Sequence, residues 1–483
     1  MESLKKVSRI DYLDYLSYGS GALLQKIEVG ASAGRAIYLD FYCVLFRELL
    51  PGVIFNMFFI SIISIKLLPF ILAGYVLVFI ITKLLLNILQ KIKENALINE
   101  EHLNTILTRG IFEMITFRIN RKYSKEISKY KHLSDDITSK LTKMTLIHEL
   151  FFTIFAILVA LIQIFLVVMV FTHQLSLTIG GLVALIAYIN NIYSPIAIFN
   201  VIFVQFRLDQ VTYKRLNNFY QSRDDQNLSA PNSLEGTVNK ISLKDLQLKI
   251  QDTDVLKTLN LEFRSGRIYA LLGTSGSGKS TIMKTLLGLM KPTAGEVEIN
   301  DTNLTKINLD KLYPHYLYIS QEVPIFEGTL RENIIFDDSS TSDEKIIEAL
   351  KKSQLDKFYS QLPDGLDTRL GEKGLNISGG ERQRIAFTRL FFSSAEVILL
   401  DEATSALDTV TEKKLLSSIL PLLKDKLVIM ITHHISNIDL ADEIIVLRKG
   451  RVTEKGSPNE LIQQQGELWQ LIQAENAETK EII

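Results

Sequence analysis

The sequence predicts a multidomain protein, with an all-α part built on long apolar runs followed by an α/β part. Three features carry that division. Between Leu49 and Phe206 fall four long runs that are almost free of charge. After the polar segment Arg223–Ser233, which contains Pro231, the pattern changes to short strands and helices. Examples of strands are Ile241–Leu243, Leu259–Phe263, Arg267–Leu272, Val397–Leu400, Leu427–Ile431 and Glu443–Leu447. Within that second part, the glycine-rich stretch Gly273-Thr274-Ser275-Gly276-Ser277-Gly278-Lys279-Ser280-Thr281 lies between an apolar strand and a helix.

Composition narrows the classes. A chain of 483 residues allows two to four domains. Lys and Arg number 53 against 54 Asp and Glu, so no charge excess argues for an acidic partner, and nucleic acid is not expected as one. Hydrophobic residues make up 47%, high for a soluble protein with this many charges. A single cysteine, Cys43, excludes an internal disulfide framework and the cysteine-rich zinc patterns, and reads as a buried apolar side chain. No apolar run follows Met1–Val7, so no signal peptide is expected.

In chain order, the first two apolar runs meet near Lys66 and Pro69. Lysine prefers water and proline breaks helices, so this place reads as a tight turn between spanning helices. The first run is short for the roughly 20 residues a bilayer requires, and extends back into Phe41–Phe46 past Arg47 and Glu48. From Lys91 to Lys143 the chain is polar, helical in period and basic, with Arg109, Arg118, Arg121, Lys122, Lys125, Lys129 and Lys131. Phe151–Phe171 and Ile179–Phe206 are the third and fourth spans, joined by Thr172–Thr178. The expected spans are 43–65, 67–90, 150–171 and 178–206, in a transmembrane domain over 1–220. A linker over 221–236 and an α/β domain over 237–483 follow. The basic 91–143 segment, set against nearly uncharged turns, places that segment and everything after Phe206 in the cytoplasm.

The glycine-rich stretch fits G-x-x-x-x-G-K-[ST]. Glycines let backbone N–H groups close around phosphate oxygens, and the next helix turns its positive end to the same anion. Lys279 supplies charge to the β- and γ-phosphates of a nucleotide, and the Ser280 hydroxyl suits Mg²⁺. The strand Val397–Leu400 ends in Asp401, suited to Mg²⁺, and Glu402, suited to polarising an attacking water. Leu427–Ile431 leads to His433, a candidate γ-phosphate contact. Ser378-Gly379-Gly380 opens another helix and makes a second anion-binding element, which points to sites shared head to tail in a dimer.

With Asn376-Ile377-Ser378-Gly379-Gly380-Glu381-Arg382-Gln383-Arg384, the chain resembles the ATP-binding cassette (ABC) superfamily, and its exporters in particular. Gly273–Thr281 resembles the Walker A loop, Gln321 in Ile319–Phe326 the Q-loop glutamine, and Ile377–Glu381 the signature. Val397–Glu402 resembles the Walker B strand, Ser405–Asp408 the D-loop and His433 the switch histidine. The resemblance implies a half-transporter in the lipid bilayer, an integral multi-pass protein of a bacterial cell membrane, paired with an identical or related chain. Two cassettes then enclose ATP between Gly273–Thr281 of one and Ser378, Gly379, Gly380 and Glu381 of the other. Mg²⁺ is held by Ser280, Gln321 and Asp401. Glu402 acts as base, with Lys279, Gln321 and His433 completing the catalytic set.

Departures accompany the resemblance. The signature reads Ile-Ser-Gly-Gly-Glu, and His434 follows the switch histidine. No aromatic stands at Leu248 or Ile250, where one is expected to stack on adenine. Loops 14–28 and 103–117 resemble the two cytoplasmic coupling loops, so the spans correspond to helices three to six of a six-helix domain. The alternative reading is a non-transporting or regulatory membrane ATP-binding partner in a heterodimer, or a shortened exporter needing another chain. The cargo is unknown.

Overall fold

A computed structural model of the chain describes residues 2–18, 20–65, 68–172, 178–234, 236–336, 341–371, 377–432 and 435–473. Lys66, most of the Thr172–Thr178 turn, and His433 and His434 lie outside the described residues. The chain divides into two compact units, Met1–Ser17 with Arg223–Ile483, and Tyr18–Ser222.

The first unit begins with two short helices, α1 (Glu2–Val7) and α2 (Tyr12–Tyr18). They are tied to the start of the α/β part. Ile10 pairs antiparallel with Asp224, and the Asp225 amide donates to the Arg9 carbonyl at 2.7 Å. Lys6 pairs with Asp224, and Arg223 pairs with Asp14 at 3.2 Å. Lys291 bridges Asp11 at 3.3 Å and buried Asp225 at 3.0 Å.

The second unit is wholly helical among its described residues. Helix α3 (Ser20–Ala36) passes through wider π-type turns at Ile37–Cys43 and Leu45–Leu49 into α4 (Leu50–Ile63). Arg47 and Glu48 therefore do not break the helical path. After Ser64, extended at the end of α4, α5 (Leu68–Phe112) takes Pro69 in its first turn, where a missing N–H costs nothing. The short α6 (Met114–Ile119) leads to α7 (Tyr123–Phe171), and α8 (Ile179–Tyr220) follows, its N-terminus capped by Thr178. Helices α5 and α8 run unbroken from apolar into polar sequence, and α7 from polar into apolar. Ile60, Phe151, Phe155, Leu166, Leu185 and Ile189 form one buried cluster, and the Phe41 and Phe206 rings stack at 3.9 Å. On α7, Ile157, Leu161, Ile164, Phe165 and Val168 are exposed. Among the described residues, two helical stretches are long and apolar enough to cross a membrane, Leu23–Ile63 and Tyr123–Phe171.

Among its described residues, the α/β part holds twelve strands. They are β1 (Lys240–Ile250), β2 (Thr253–Arg264), β3 (Arg267–Leu272), β4 (Ala294–Ile299), β5 (Thr302–Asn303), β6 (Tyr316–Ile319), β7 (Gly328–Thr329), β8 (Arg369–Leu370), β9 (Val397–Asp401), β10 (Leu427–Ile431), β11 (Glu443–Arg448) and β12 (Arg451–Gly456). An antiparallel sheet runs β2-β1-β4-β5, and β7 pairs with β8. The principal sheet runs β12-β11-β3-β10-β9-β6, parallel except for the β12 edge. Its central strands are buried on both faces, which is why they read as continuous apolar runs. Alternation sorts them between two cores. Tyr269, Leu271, Leu399 and Ile429 face one core, and Ala270, Leu272, Leu400 and Met430 face the other. Each fully buried aliphatic side chain contributes about 1.5–3 kcal/mol to that packing. The carboxyl ends of β3, β9 and β10 meet at one edge, where parallel sheets place their ligand crevice.

Candidate functional site

Strand β3 delivers the chain into the loop Gly273–Gly278, and the helix Lys279–Leu286 leaves it. Two glycines are obligatory there. Gly273 has φ +142°, and a Cβ would lie 2.1 Å from the Leu447 carbonyl oxygen. Gly278, at φ +105°, would place a Cβ 2.6 Å from Leu256 Cδ2. Gly278 also begins the helix with no side-chain cap, so the first amides of that helix have no side-chain partner. The Ser277 hydroxyl is buried with no hydrogen-bond partner. Lys279 is 6% exposed, and its ammonium donates to the carbonyls of Gly273 at 2.7 Å and Thr274 at 3.2 Å. Burial lowers its pKa from the ordinary lysine value, while the nearby Glu402 and Asp401 carboxylates act the other way. The loop thus gathers an orphaned hydroxyl, an uncapped helix start and a buried cation. That set fits a polyphosphate.

Strand β9 pairs with β10 in register Asp401 to Ile431, which carries Asp401 to the same edge. The Ser280 hydroxyl donates to Asp401 Oδ1 at 3.2 Å. The Tyr318 hydroxyl donates to Asp401 Oδ2, also at 3.2 Å. Burial pushes the Asp401 carboxyl above the usual carboxylate range, and these two donors oppose the push. Hard oxygen donors from Ser280 and Asp401, side by side next to the loop, fit a magnesium ion.

Glu402 takes a left-handed backbone, φ +49°, with its amide donating to the Ile431 carbonyl at 3.0 Å. Its carboxylate accepts from the Gln321 side-chain amide at 2.7 Å. Gln383 ties three segments together. Its amide nitrogen donates to the Gln321 carbonyl at 3.4 Å and the Ser405 hydroxyl at 3.1 Å, and its oxygen accepts from the Ala406 amide at 2.9 Å.

Ser378 caps the helix Gly379–Thr388 in a reciprocal box. The Glu381 amide donates to its hydroxyl at 3.3 Å, and Glu381 Oε2 accepts the Ser378 amide at 2.8 Å. The Ser378 hydroxyl also donates to that carboxylate at 2.7 Å. Among the described residues, no hydrogen bond or ion pair joins Ser378–Glu381 to Gly273–Thr281. Leu248 is buried in the core and Ile250 is half-buried against it.

The structure therefore gathers Lys279, Ser280, Asp401, Glu402 and Gln321, and keeps Ser378–Glu381 apart in hydrogen bonding. Tyr318 joins the site without a motif to announce it, and Gln383 joins it from within the stretch Asn376–Arg384, which gave it no role. The signals available were position alone, three residues before Gln321 and five after Ser378.

Residues 256–405 match the ABC transporter family. Heavy metal tolerance factor 1 of Caenorhabditis elegans is 33% identical over 319 residues, 65% of this chain and 40% of that protein. A putative export ATP-binding/permease protein of Rickettsia felis is 40% identical over 207 residues, 43% of this chain and 36% of its own length. The chain spans less than half the length of these two curated relatives. The solved structure of a bacterial Atm1-family ABC exporter with ATP bound superposes with a TM-score of 0.86 at 23% identity, covering 98% of this chain and 84% of that one. That likeness shows the shared fold, a helical domain followed by an α/β ATPase domain. Residues 256–405 are thus an ABC transporter domain, and the chain shares with that exporter the order of a helical domain followed by an α/β ATPase domain.

Proposed function

We propose that the chain is the ATP-hydrolysing subunit of an ABC-type membrane exporter, and that it works in a dimer with itself or a related chain. The observation that carries this reading is the paired geometry at one sheet edge, Ser280 to Asp401 at 3.2 Å and Gln321 to Glu402 at 2.7 Å. Gly273–Thr281 binds the phosphates through backbone amides and Lys279. Ser280, Asp401 and Gln321 hold Mg²⁺, which when bound offsets charge developing on the phosphates. Glu402 takes the proton of the attacking water, and Gln321 keeps its carboxylate oriented. His433, two residues after β10 in sequence, is the γ-phosphate contact. Ser378–Glu381 serve the partner's nucleotide, which agrees with their lack of any hydrogen bond to this chain's own phosphate loop.

In this reading the four apolar runs at 43–65, 67–90, 150–171 and 178–206 span the bilayer, within the expected transmembrane domain over 1–220, whose first residues, Met1–Ser17, pack instead with the α/β unit. The segments 14–28 and 103–117, helical over most of their length, serve as the coupling elements for cassettes on the cytoplasmic side. The linker 221–236 leads to the cassette over 237–483. A second reading, a membrane ATP-binding partner that does not itself transport, draws on the aliphatic Leu248 and Ile250 at the expected adenine contact.

The test is ATPase turnover of the purified chain in lipid beside Glu402→Gln, with its assembled mass in the membrane. Turnover that disappears in Glu402→Gln is expected. Undiminished turnover in that variant would overturn the proposed roles, and ATP binding without turnover in the wild type would favour the second reading.

A further inference from the structure

Tyr318 belongs to none of the sequence motifs, yet its hydroxyl reaches the carboxylate at the centre of the site. It stands on β6, paired in register with Leu399 of β9, and its ring packs half-buried against the core. Its hydroxyl and that of Ser280 engage different oxygens of Asp401, each at 3.2 Å. A carboxylate turns about a broad, two-fold terminal torsion, so one hydrogen bond leaves it free to swing. Two donors on separate oxygens fix it. The same short segment that offers Tyr318 to Asp401 offers Gln321 to Glu402 at 2.7 Å. Two residues three positions apart, one on β6 and one just past its end, thus hold two consecutive carboxylates at the end of β9.

We propose that Tyr318 is a positioning residue that pins Asp401 Oδ2 so that Oδ1 stays turned toward Ser280, ready for a divalent cation. Tyr318 does not touch the cation or the nucleotide. Its effect passes through Asp401, as outer partners of metal ligands commonly act. This inference rests on the reading of Ser280 and Asp401 as a cation-binding pair.

The experiment uses the full chain in lipid, with Mn²⁺ as the probe. Free Mn²⁺ is titrated by EPR in the presence of ATP, for wild type, Tyr318→Phe, Asp401→Asn and the double variant. ATP binding in EDTA is measured on each. Tyr318→Phe should weaken Mn²⁺ binding by about 10-fold or more and leave ATP binding in EDTA unchanged. In the Asp401→Asn background, Tyr318→Phe should change Mn²⁺ binding no further, since the carboxylate through which it acts is gone. A purely packing role would give the same loss in both backgrounds, and that result would overturn the proposal. Unchanged Mn²⁺ binding in Tyr318→Phe, with binding lost in Asp401→Asn, would also overturn it while leaving the cation pair standing. Mn²⁺ binding retained in Asp401→Asn would remove the cation pair itself.

Discussion

Removal of the Lys279 side chain separates the binding of ATP from the stability of the fold. Lys279 is 6% exposed, and its ammonium donates to carbonyls of its own loop, Gly273 at 2.7 Å and Thr274 at 3.2 Å. In Lys279→Ala the unliganded protein loses two hydrogen bonds but no longer buries a charge. These terms oppose each other, and the net change should stay within about 1 kcal/mol. Against phosphate, the same ammonium is worth about 1.5–3 kcal/mol, or about 10- to 150-fold in ATP affinity. At an ATP concentration of about 100 times the wild-type Kd, ligand stabilisation should fall from about 2.7 to about 0.3–1.4 kcal/mol. Thermal unfolding in lipid with and without ATP reads both quantities. A variant that keeps the full ATP-induced rise in Tm would refute the reasoning, because the buried cation would then not face the phosphates.

Other substitutions test other parts of the account. Gly273→Ala should destabilise the protein by more than about 3 kcal/mol, since φ +142° and a Cβ 2.1 Å from the Leu447 oxygen leave it no space. A normal Tm would contradict that geometry. Ser378→Ala breaks the capping box and should cost about 1 kcal/mol, seen as faster amide exchange in Gly379–Thr388 and not elsewhere. Glu467 accepts from Arg448 and Thr453, each at 2.7 Å, and these contacts hold its carboxyl below the ordinary 4.5. The unfolded chain takes up this proton first as pH falls. The contribution is therefore complete above 4.5 and lost as pH drops through the lower folded value. Glu467→Gln should flatten that part of the Tm profile, and an unchanged slope would assign the acid loss to other groups.

What was legible in the sequence was local. The glycine spacing in Gly273–Gly278, and the apolar run Val397–Leu400 ending in two carboxylates, each follow from a few consecutive residues with one backbone requirement. What stayed hidden depends on pairing across distance. Tyr318 meets Asp401 across 83 positions, through the parallel register of β6 on β9. Gln383 reaches Gln321 across 62 and Ser405 across 22. No periodicity marks either contact, because a hydroxyl or an amide looks the same in sequence whichever group it meets. The helices gave a different difficulty. Composition divides Leu68–Phe112 and Tyr123–Phe171 into apolar and polar stretches, yet the backbone repeat does not change at the boundary, and each continues as one helix.

The residues Met1–Ser17 complete the unit formed by Arg223–Ile483, with the whole helical unit falling between them in sequence. During synthesis Met1–Ser17 must wait for their partners, Arg223, Asp224 and Asp225, until the helical unit has left the ribosome. Bringing such distant ends together carries a loop-closure entropy that grows only as the logarithm of the intervening length, so the delay is kinetic more than energetic. Long-range pairing of this kind lengthens folding times and leaves waiting surfaces uncovered. The cassette of this chain is accordingly a late-closing structure, with Met1–Ser17 held in reserve until the helical unit, Tyr18–Ser222, has passed.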